Sequence, residues 1–389
     1  MTVAISGGGP AGLMLGLLLA RQGIEVTVLE KHEDFLHDFR GDTIHPATME
    51  LLDQLGLHDR FHKIPYGKFQ DVGFGKDLQI GSLTELGLRY PFVAIAPQWD
   101  FLNLIAEEAQ RYPGFTLKMR AEVVDPLPEG GVRYRDRDGE HELRADLTVA
   151  CDGRDSLLRA RAGLPVRNIG APFDVAWFRL PRRDPEVEEF YYRVAPYKWI
   201  VGFDRRTYIQ LAYVFDKNRR EKLITDGIGA FRDGVARAVP EIADRVALLR
   251  SCKEDVSFLD VQVNRAIRWY GKGLLLIGDT AHAMSPMGGV GVNYAIQDAV
   301  GAANILCDAL KSGGPMPEHR LRAVQKRREP PMAVMQRLQL LMQRRLVEPA
   351  LRGEVANVPR MATLMRRVHP VRRALMRLLA VGLRKENIR

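Results

Sequence analysis

The chain has 389 residues, 46% of them apolar, enough for a large core, which excludes wholesale disorder. Its net charge of +9 sits in residues 315–389, which hold 18 Lys and Arg against 5 Asp and Glu while the rest is slightly acidic, so nucleic-acid binding by the whole molecule is not expected. Three widely spaced cysteines (Cys151, Cys252 and Cys307) form no Cys-x-x-Cys pair, which argues against a zinc or disulfide scaffold and fits a reducing cytoplasm.

Residues 2–6 (TVAIS) predict a strand and not a signal peptide, because no basic stretch precedes the apolar run. A glycine triplet and an apolar helix follow, closed by Gly23, and residues 24–29 alternate as a second strand. The chain therefore opens as a βαβ unit. No apolar run approaches the roughly 18 residues that a membrane span needs. Helices are predicted over 46–57 and 99–111, and strands over 115–150 with turns at Glu129-Gly130-Gly131 and Asp138-Gly139. Residues 172–215 are rich in aromatics and alternate as an antiparallel sheet. Helix is expected over 221–250, a buried strand over 273–277, and helix again over 292–311. Residues 318–347 and 361–384 have helical period, with Pro330-Pro331 and Pro349 as expected breaks.

The glycines read as a Gly7-Gly8-Gly9-Pro10-Ala11-Gly12 loop between strand and helix. Gly7 suits a tight turn, Gly9 a close approach to pyrophosphate, and Gly12 close packing of helix on strand. The helix N-terminus offers free N–H groups to phosphate. Glu30 ends the second strand, where a carboxylate takes ribose hydroxyls and disfavours a 2′-phosphate. A second loop, Gly278-Asp279 through Gly288-Gly289-Val290-Gly291-Val292-Asn293, follows the buried strand. Its acid suits a polyol, and its glycines bring N–H donors and a helix dipole to a developing anion. A third loop, Cys151-Asp152-Gly153-Arg154-Asp155-Ser156, follows the strand LTVA. Each loop alone is also the mark of an ordinary βα turn.

Taken in this order and spread, the three loops resemble those of the flavoprotein aromatic hydroxylases (group A, the para-hydroxybenzoate hydroxylase type), over about residues 1–310. The resemblance implies an α/β fold: a Rossmann-like FAD-binding domain (1–70, 97–171 and 266–312), an inserted antiparallel-sheet substrate domain (71–96 and 172–265), and a basic helical segment (313–389). It places Asp152 near both FAD and a visiting nicotinamide, and Arg40 and Gln98 against the cofactor. By the same resemblance the cofactor set takes in Pro10, Ala11, Lys31, Val123, Gly153, Gly291, Val292 and Asn293. Val290 stands where the family often has glutamine, and no halogenase Trp-x-Trp-x-Ile-Pro motif occurs.

The implied activity is hydroxylation of an aromatic or similarly electron-rich molecule through a flavin C4a-hydroperoxide, with O₂ as oxidant. NADH or NADPH would reduce FAD without a Rossmann domain of its own. Gly288 and Gly289 are expected to turn N–H groups toward the flavin carbonyl. Pro286 would shape the loop, Asp279 hold the ribityl chain, and Arg40 position the ring. The substrate would lie against the aromatic sheet, with Tyr191, Tyr192, Trp199, Tyr208, Gln210 and Tyr213 as candidates. His282 reads as structural before catalytic, and no metal site is expected. A flavin reductase acting on a C=C bond, or a flavin-binding redox sensor, would share the same loops. The basic C-terminal helices read first as cover for the body, next as a peripheral membrane or dimer contact, and last as a nucleic-acid surface.

Overall fold

The computed structural model describes residues 1–36, 43–73, 79–183, 190–195, 198–205, 208–354 and 368–389. Thr2–Ser6 forms an inner strand of a six-stranded sheet, ordered Tyr270–Gly271, Leu274–Leu276, Leu147–Ala150, Thr2–Ser6, Glu25–Leu29, Phe115–Lys118. All neighbours are parallel except the first pair. The register matters most. Ser6 pairs with Leu29 on one side and Ala150 on the other, and Ala150 pairs with Leu276. The next residues (Gly7, Glu30, Cys151 and Ile277) therefore leave the sheet side by side. Sequence-distant loops meet at the carboxyl edge because parallel strands share one direction.

The helix Pro10–Arg21 is apolar almost all round, and Ala11 through Ala20 are buried. A helix with no polar face needs cover on every side. The sheet supplies one side, and the helices Gln98–Ala109 and Gly291–Ser312 supply the other. The predicted helices at 46–57, 99–111 and 292–311 appear as Pro46–Gln54, Gln98–Ala109 and Gly291–Ser312. The expected helix over 221–250 is divided. Arg220–Thr225 and Gly227–Ala238 meet at Gly227, whose φ is +79°, and Pro240 opens a short turn before Ala243–Val246.

The aromatic region forms a five-stranded antiparallel sheet, ordered Phe190–Ala195, Lys198–Asp204, Tyr208–Asp216, Phe173–Pro181, Val256–Leu259. Alternation sorts its side chains by face. Val175, Trp199, Ala212 and Val214 pack on one face. Phe178, Leu211, Tyr213 and Phe215 pack on the other, against Phe231 and Val235 of the helix Gly227–Ala238.

Neither expected break appears: the helical run continues without interruption from Glu318 through Leu351. Pro330 and Pro331 lie inside a single helix, Glu318–Met342. The helix is held on both sides of the prolines. Arg328 is buried against Asp298 and Glu386, while Met332, Met335, Gln336 and Gln339 are buried beyond them. Tertiary anchoring thus overrides the local loss of hydrogen bonds that proline imposes. Pro349 sits in the first turn of the short helix Glu348–Leu351, after a π-helical stretch Gln343–Val347. The last helix is His369–Val381. Among the described residues, no helix is long and apolar enough to cross a membrane.

Candidate active site

A cavity of about 1280 Å³ opens along the carboxyl edge of the parallel sheet. At one end it is lined by Gly7, Gly9, Pro10, Ala11, Glu30, Lys31 and Val123. Gln98, Asp152, Gly153, Asp279, Pro286, Gly288, Gly289, Gly291 and Val292 continue the wall. The three loops thus share one groove. Arg40 lies outside the described residues.

The first loop is built around backbone approach. Gly7 has φ +103°, and a Cβ there would lie 2.4 Å from the Cys151 carbonyl oxygen of the neighbouring loop. Only glycine satisfies both the left-handed turn and that contact. Gly12 does not line the cavity; a Cβ there would reach 2.0 Å from the Gly7 carbonyl oxygen, so it serves helix-on-loop packing. Gly9 differs: a Cβ there meets no protein atom within 4 Å, because it would stand in the cavity. No side chain caps the helix at Gly9, so the first-turn N–H groups keep their capacity for an anion.

Glu30 is buried at the end of its strand. Its Oε2 accepts from the Gly8 N–H at 2.8 Å, and its Oε1 accepts from the His32 N–H at 3.0 Å and lies 2.6 Å from the His32 Nδ1. A carboxylate has about four acceptor directions, so capacity remains for a ribose hydroxyl. His32 also lines the cavity, and nothing in the sequence had marked it.

The Asp-Gly and Gly-Asp loops are stitched together. The Thr280 hydroxyl donates to Asp152 Oδ1 at 3.1 Å and accepts from the Gly153 N–H at 3.0 Å. Arg159 donates to the Thr280 carbonyl at 2.8 Å and to the Arg154 carbonyl at 2.6 Å. Arg154 donates to the Asp260 carbonyl at 2.8 Å and faces Asp279 at 3.7 Å. Asp152 is therefore partly engaged as a staple, while Asp279 is more than a third exposed toward the groove. Cys151 is packed beside the turn, and burial pushes its thiol well up, with Asp152 and Asp298 adding to the effect, so it is no nucleophile.

The glycine-rich stretch is fixed from three directions. Gly289 has φ +59°, and a Cβ there would fall 2.3 Å from the Thr43 hydroxyl, which donates to the Gly289 carbonyl at 2.6 Å. Asn293 does not line the cavity. Its amide donates to the Thr43 carbonyl at 2.9 Å and the Gly289 carbonyl at 3.3 Å, and its oxygen accepts from the His45 N–H and the Thr48 hydroxyl. Val290 is buried and caps the helix without a side-chain bond. His45 is buried beside the loop and lies 3.0 Å from the Leu379 carbonyl, and burial pulls its pKa down to about 4.

The C-terminal helices supply the third support. Gln336 donates to the carbonyls of Asn264 and Ala283, Gln339 to those of Ser285 and Met287, and Gln343 to the Ser285 hydroxyl. Their i, i+3, i+7 spacing was a readable signal: a buried polar stripe on a helix with a job to do. Beneath the loop, His282 is buried with its Nε2 2.5 Å from Asp298, which also accepts from Arg328 and the Gly278 N–H. Burial opposes charge on Asp298, but His282 and Arg328 outweigh it and hold its carboxyl below the usual range. His282 is thus structural, as its place in the turn suggested.

The other end of the cavity is aromatic and apolar. Trp177, Trp199 and Phe203 line it with Val175, Val201, Ala212, Val214 and Leu259. Trp199 lines it as expected. One substrate candidate, Tyr213, is corrected, and Gln210 sits back from the lining on the cavity face of its strand. Tyr213 lies on the opposite sheet face, packed on Phe231, because its odd position on the strand points away. Gln210 is buried and bonded to Arg205 Nε at 3.3 Å, outside the lining. The strand Phe190–Ala195 carries Tyr191, whose side chain lies outside the described residues. Trp177 and Phe203, stacked at 6.2 Å, were missed as candidates; strand parity against Trp199 would have found them.

A family model described as an FAD binding domain matches residues 1–338. The 6-methylpretetramide 4-monooxygenase of Streptomyces rimosus is 33% identical over 390 residues, covering 98% of this chain and 92% of that relative. The 12-dehydrotetracycline 5-monooxygenase/anhydrotetracycline 6-monooxygenase of Streptomyces rimosus subsp. rimosus is 27% identical over 320 residues, which cover 77% of this chain and 61% of that longer protein. In fold, the chain superposes on the crystal structure of p-nitrophenol 4-monooxygenase from Pseudomonas putida with a TM-score of 0.80 at 21% identity, over 98% of this chain and 99% of that one. The chain belongs to the FAD binding domain family and is a group A flavoprotein monooxygenase, an FAD-dependent oxidoreductase acting on an aromatic or related electron-rich small molecule.

Proposed function

We propose that this monooxygenase hydroxylates a polycyclic phenolic substrate of polyketide type. The observation that carries the reading is the two-ended cavity: nucleotide-type loops at one end and an apolar, tryptophan-lined wall at the other. The substrate named for the 6-methylpretetramide relative supports the class.

The donor set fits FAD. The missing Cβ of Gly9 leaves phosphate-sized space before an uncapped helix, and Glu30 keeps acceptor capacity at the adenosine end. Asp279 would take a ribityl hydroxyl, and the Pro286–Gly289 turn would face the ring system. Gln98, Lys31 and Val123 complete the wall. When bound and reduced by NADH or NADPH, FAD would supply the O₂ activation that delivers one oxygen atom to the substrate and the other to water. The residues of the chain do the rest. Gly288 presents backbone toward the ring's pyrimidine edge, where an N–H donor favours negative charge; Gly289, expected to add a second donor, instead gives its N–H to the Pro286 carbonyl at 3.1 Å and so shapes the turn. Trp177, Trp199 and Phe203 hold the substrate plane and keep water out. The helix His369–Val381, through Val371, Leu375 and Leu379, closes the remaining side. This role of the basic segment favours cover over a lipid, dimer or nucleic-acid surface. Three unpaired cysteines support a cytoplasmic setting.

The test is NAD(P)H oxidation and O₂ uptake across naphthols, hydroxyanthraquinones and four-ring phenols, with ¹⁸O₂ labelling of product. The reading expects substrate-stimulated oxidation and one labelled oxygen per product. A saturated product without O₂ consumption would instead identify a reductase, and bound FAD without turnover a sensor.

A further inference from the structure

The charges lining the cavity are divided between its ends. Its carboxylates (Glu30, Glu122, Asp152, Asp155 and Asp279) all belong to the nucleotide-side loops. Among the described residues, two arginines line the cavity: Arg154, which is engaged by the Asp260 carbonyl at 2.8 Å and faces Asp279 at 3.7 Å, and Arg345. Arg345 stands in the π-helical stretch Gln343–Val347. Extra-residue turns of this kind recur at functional sites because they re-aim side chains. The turn here sends its residues two ways. Gln343 reaches back to the Ser285 hydroxyl at 3.0 Å, while Arg345, Leu346 and Val347 line the cavity. Its chain neighbour Leu346 belongs to the same packed cluster as Trp199 and Met287, which sets this turn beside the substrate wall and the glycine-rich loop. Among the described residues no carboxylate lies within ion-pair distance of it, and its side chain is exposed.

We propose that Arg345 is a specificity-determining residue that recognises an acidic ring oxygen, an ionised phenol or enolised β-diketone, and binds the substrate as its anion. The inference rests on the polycyclic-phenol reading above. A guanidinium cannot lose its proton, so it is a fixed counter-charge at any working pH. Against apolar walls it lowers the pKa of a bound phenol by favouring the charged form. The anion also carries more electron density in the ring, which suits attack by an electrophilic oxygen. The apolar walls accept the ring plane, and the cation left without a protein counter-charge fixes which edge enters first.

The experiment uses the FAD-loaded enzyme and alizarin, whose colour reports its own ionisation. Its 1,2-dimethyl ether is the probe that cannot ionise. Wild-type enzyme is expected to bind alizarin with its first ionisation shifted down by about one pKa unit. Arg345→Gln should weaken alizarin binding roughly tenfold and return the colour transition to that of the free dye, while ether binding stays unchanged. Arg345→Lys should restore part of both effects. Equal loss of dye and ether in Arg345→Gln would overturn the proposal, since packing by the side-chain stem would explain it. So would an unchanged colour transition, or wild-type enzyme that holds FAD but ignores alizarin. Wild-type enzyme that takes up no FAD would instead break the underlying reading.

Discussion

Replacing Gln339 with leucine separates the structural work of the C-terminal helix from its work for the site. The Gln339 amide donates to the carbonyls of Ser285 and Met287 at 2.9 and 2.8 Å, and the residue is buried. Each bond contributes about 1 kcal/mol net, and each buried carbonyl left without a donor costs roughly 1–3 kcal/mol. The Gln339 Oε1 is itself buried without a partner, so its removal offsets part of that loss. Counting only the two carbonyls left without a donor, roughly 2–6 kcal/mol together, and subtracting a comparable relief of one group at the Oε1, the destabilisation is about 1–3 kcal/mol. Gln336→Leu is the matched control, since Gln336 bonds the carbonyls of Asn264 and Ala283 at 2.9 and 3.1 Å and likewise has an unpartnered Oε1. Those carbonyls do not line the cavity, whereas Ser285 and Met287 do. Urea unfolding should show similar losses for both variants, while FAD titration should show weakened affinity for Gln339→Leu alone. Unchanged FAD affinity in Gln339→Leu, at the expected loss of stability, would refute the idea that this helix shapes the cofactor loop.

Asp279→Ala should weaken FAD binding about tenfold and leave thermal stability nearly unchanged, because its facing partner Arg154 is 3.7 Å away and the carboxylate is partly exposed; calorimetric titration and a melting curve check both. Gly9→Leu should give a folded but colourless protein, since the added side chain enters open cavity, whereas Gly7→Ala should lose stability through its φ of +103° and its contact with Cys151; circular dichroism and the flavin spectrum distinguish the two. His45 titrates near 4 when folded and near 6.5 unfolded, so the unfolded chain binds more protons between those values. That part of the stability is complete above pH 6.5 and falls by roughly 3 kcal/mol as the pH drops toward 4. His45→Gln should flatten this slope in urea melts taken across that window. Tyr213→Phe should leave substrate binding unaltered, whereas Trp199→Ala should weaken it, as measured by KM.

The parallel half of the fold was legible because its signals are local. Strand, glycine turn and helix follow one another in residues 2–21, and the strand Leu274–Leu276 is a short apolar run before Gly278-Asp279. That three such turns share a cavity could be argued from the carboxyl-edge rule for parallel strands. The aromatic sheet was legible as a sheet but not as a face. Tyr213 and Trp199 look alike in the sequence, and only the cross-strand register, Trp199 opposite Val214, decides which faces the cavity. Long-range partners left little trace. Thr280, Arg159 and Thr43 tie loops together across more than a hundred residues, and each is an ordinary polar residue in its own neighbourhood. The helix through Pro330 and Pro331 was misjudged because its stabilising contacts, Arg328 to Asp298 and Glu386, are wholly tertiary.

The most direct measurement is a crystal structure of the chain with FAD. It should show one FAD lying along the groove, its ribose at Glu30, its pyrophosphate before the Pro10–Arg21 helix, and its ring system against Pro286–Gly289. An adenosine anchored away from Glu30, or a flavin ring placed on the far side of the loops from Trp199, would contradict the account.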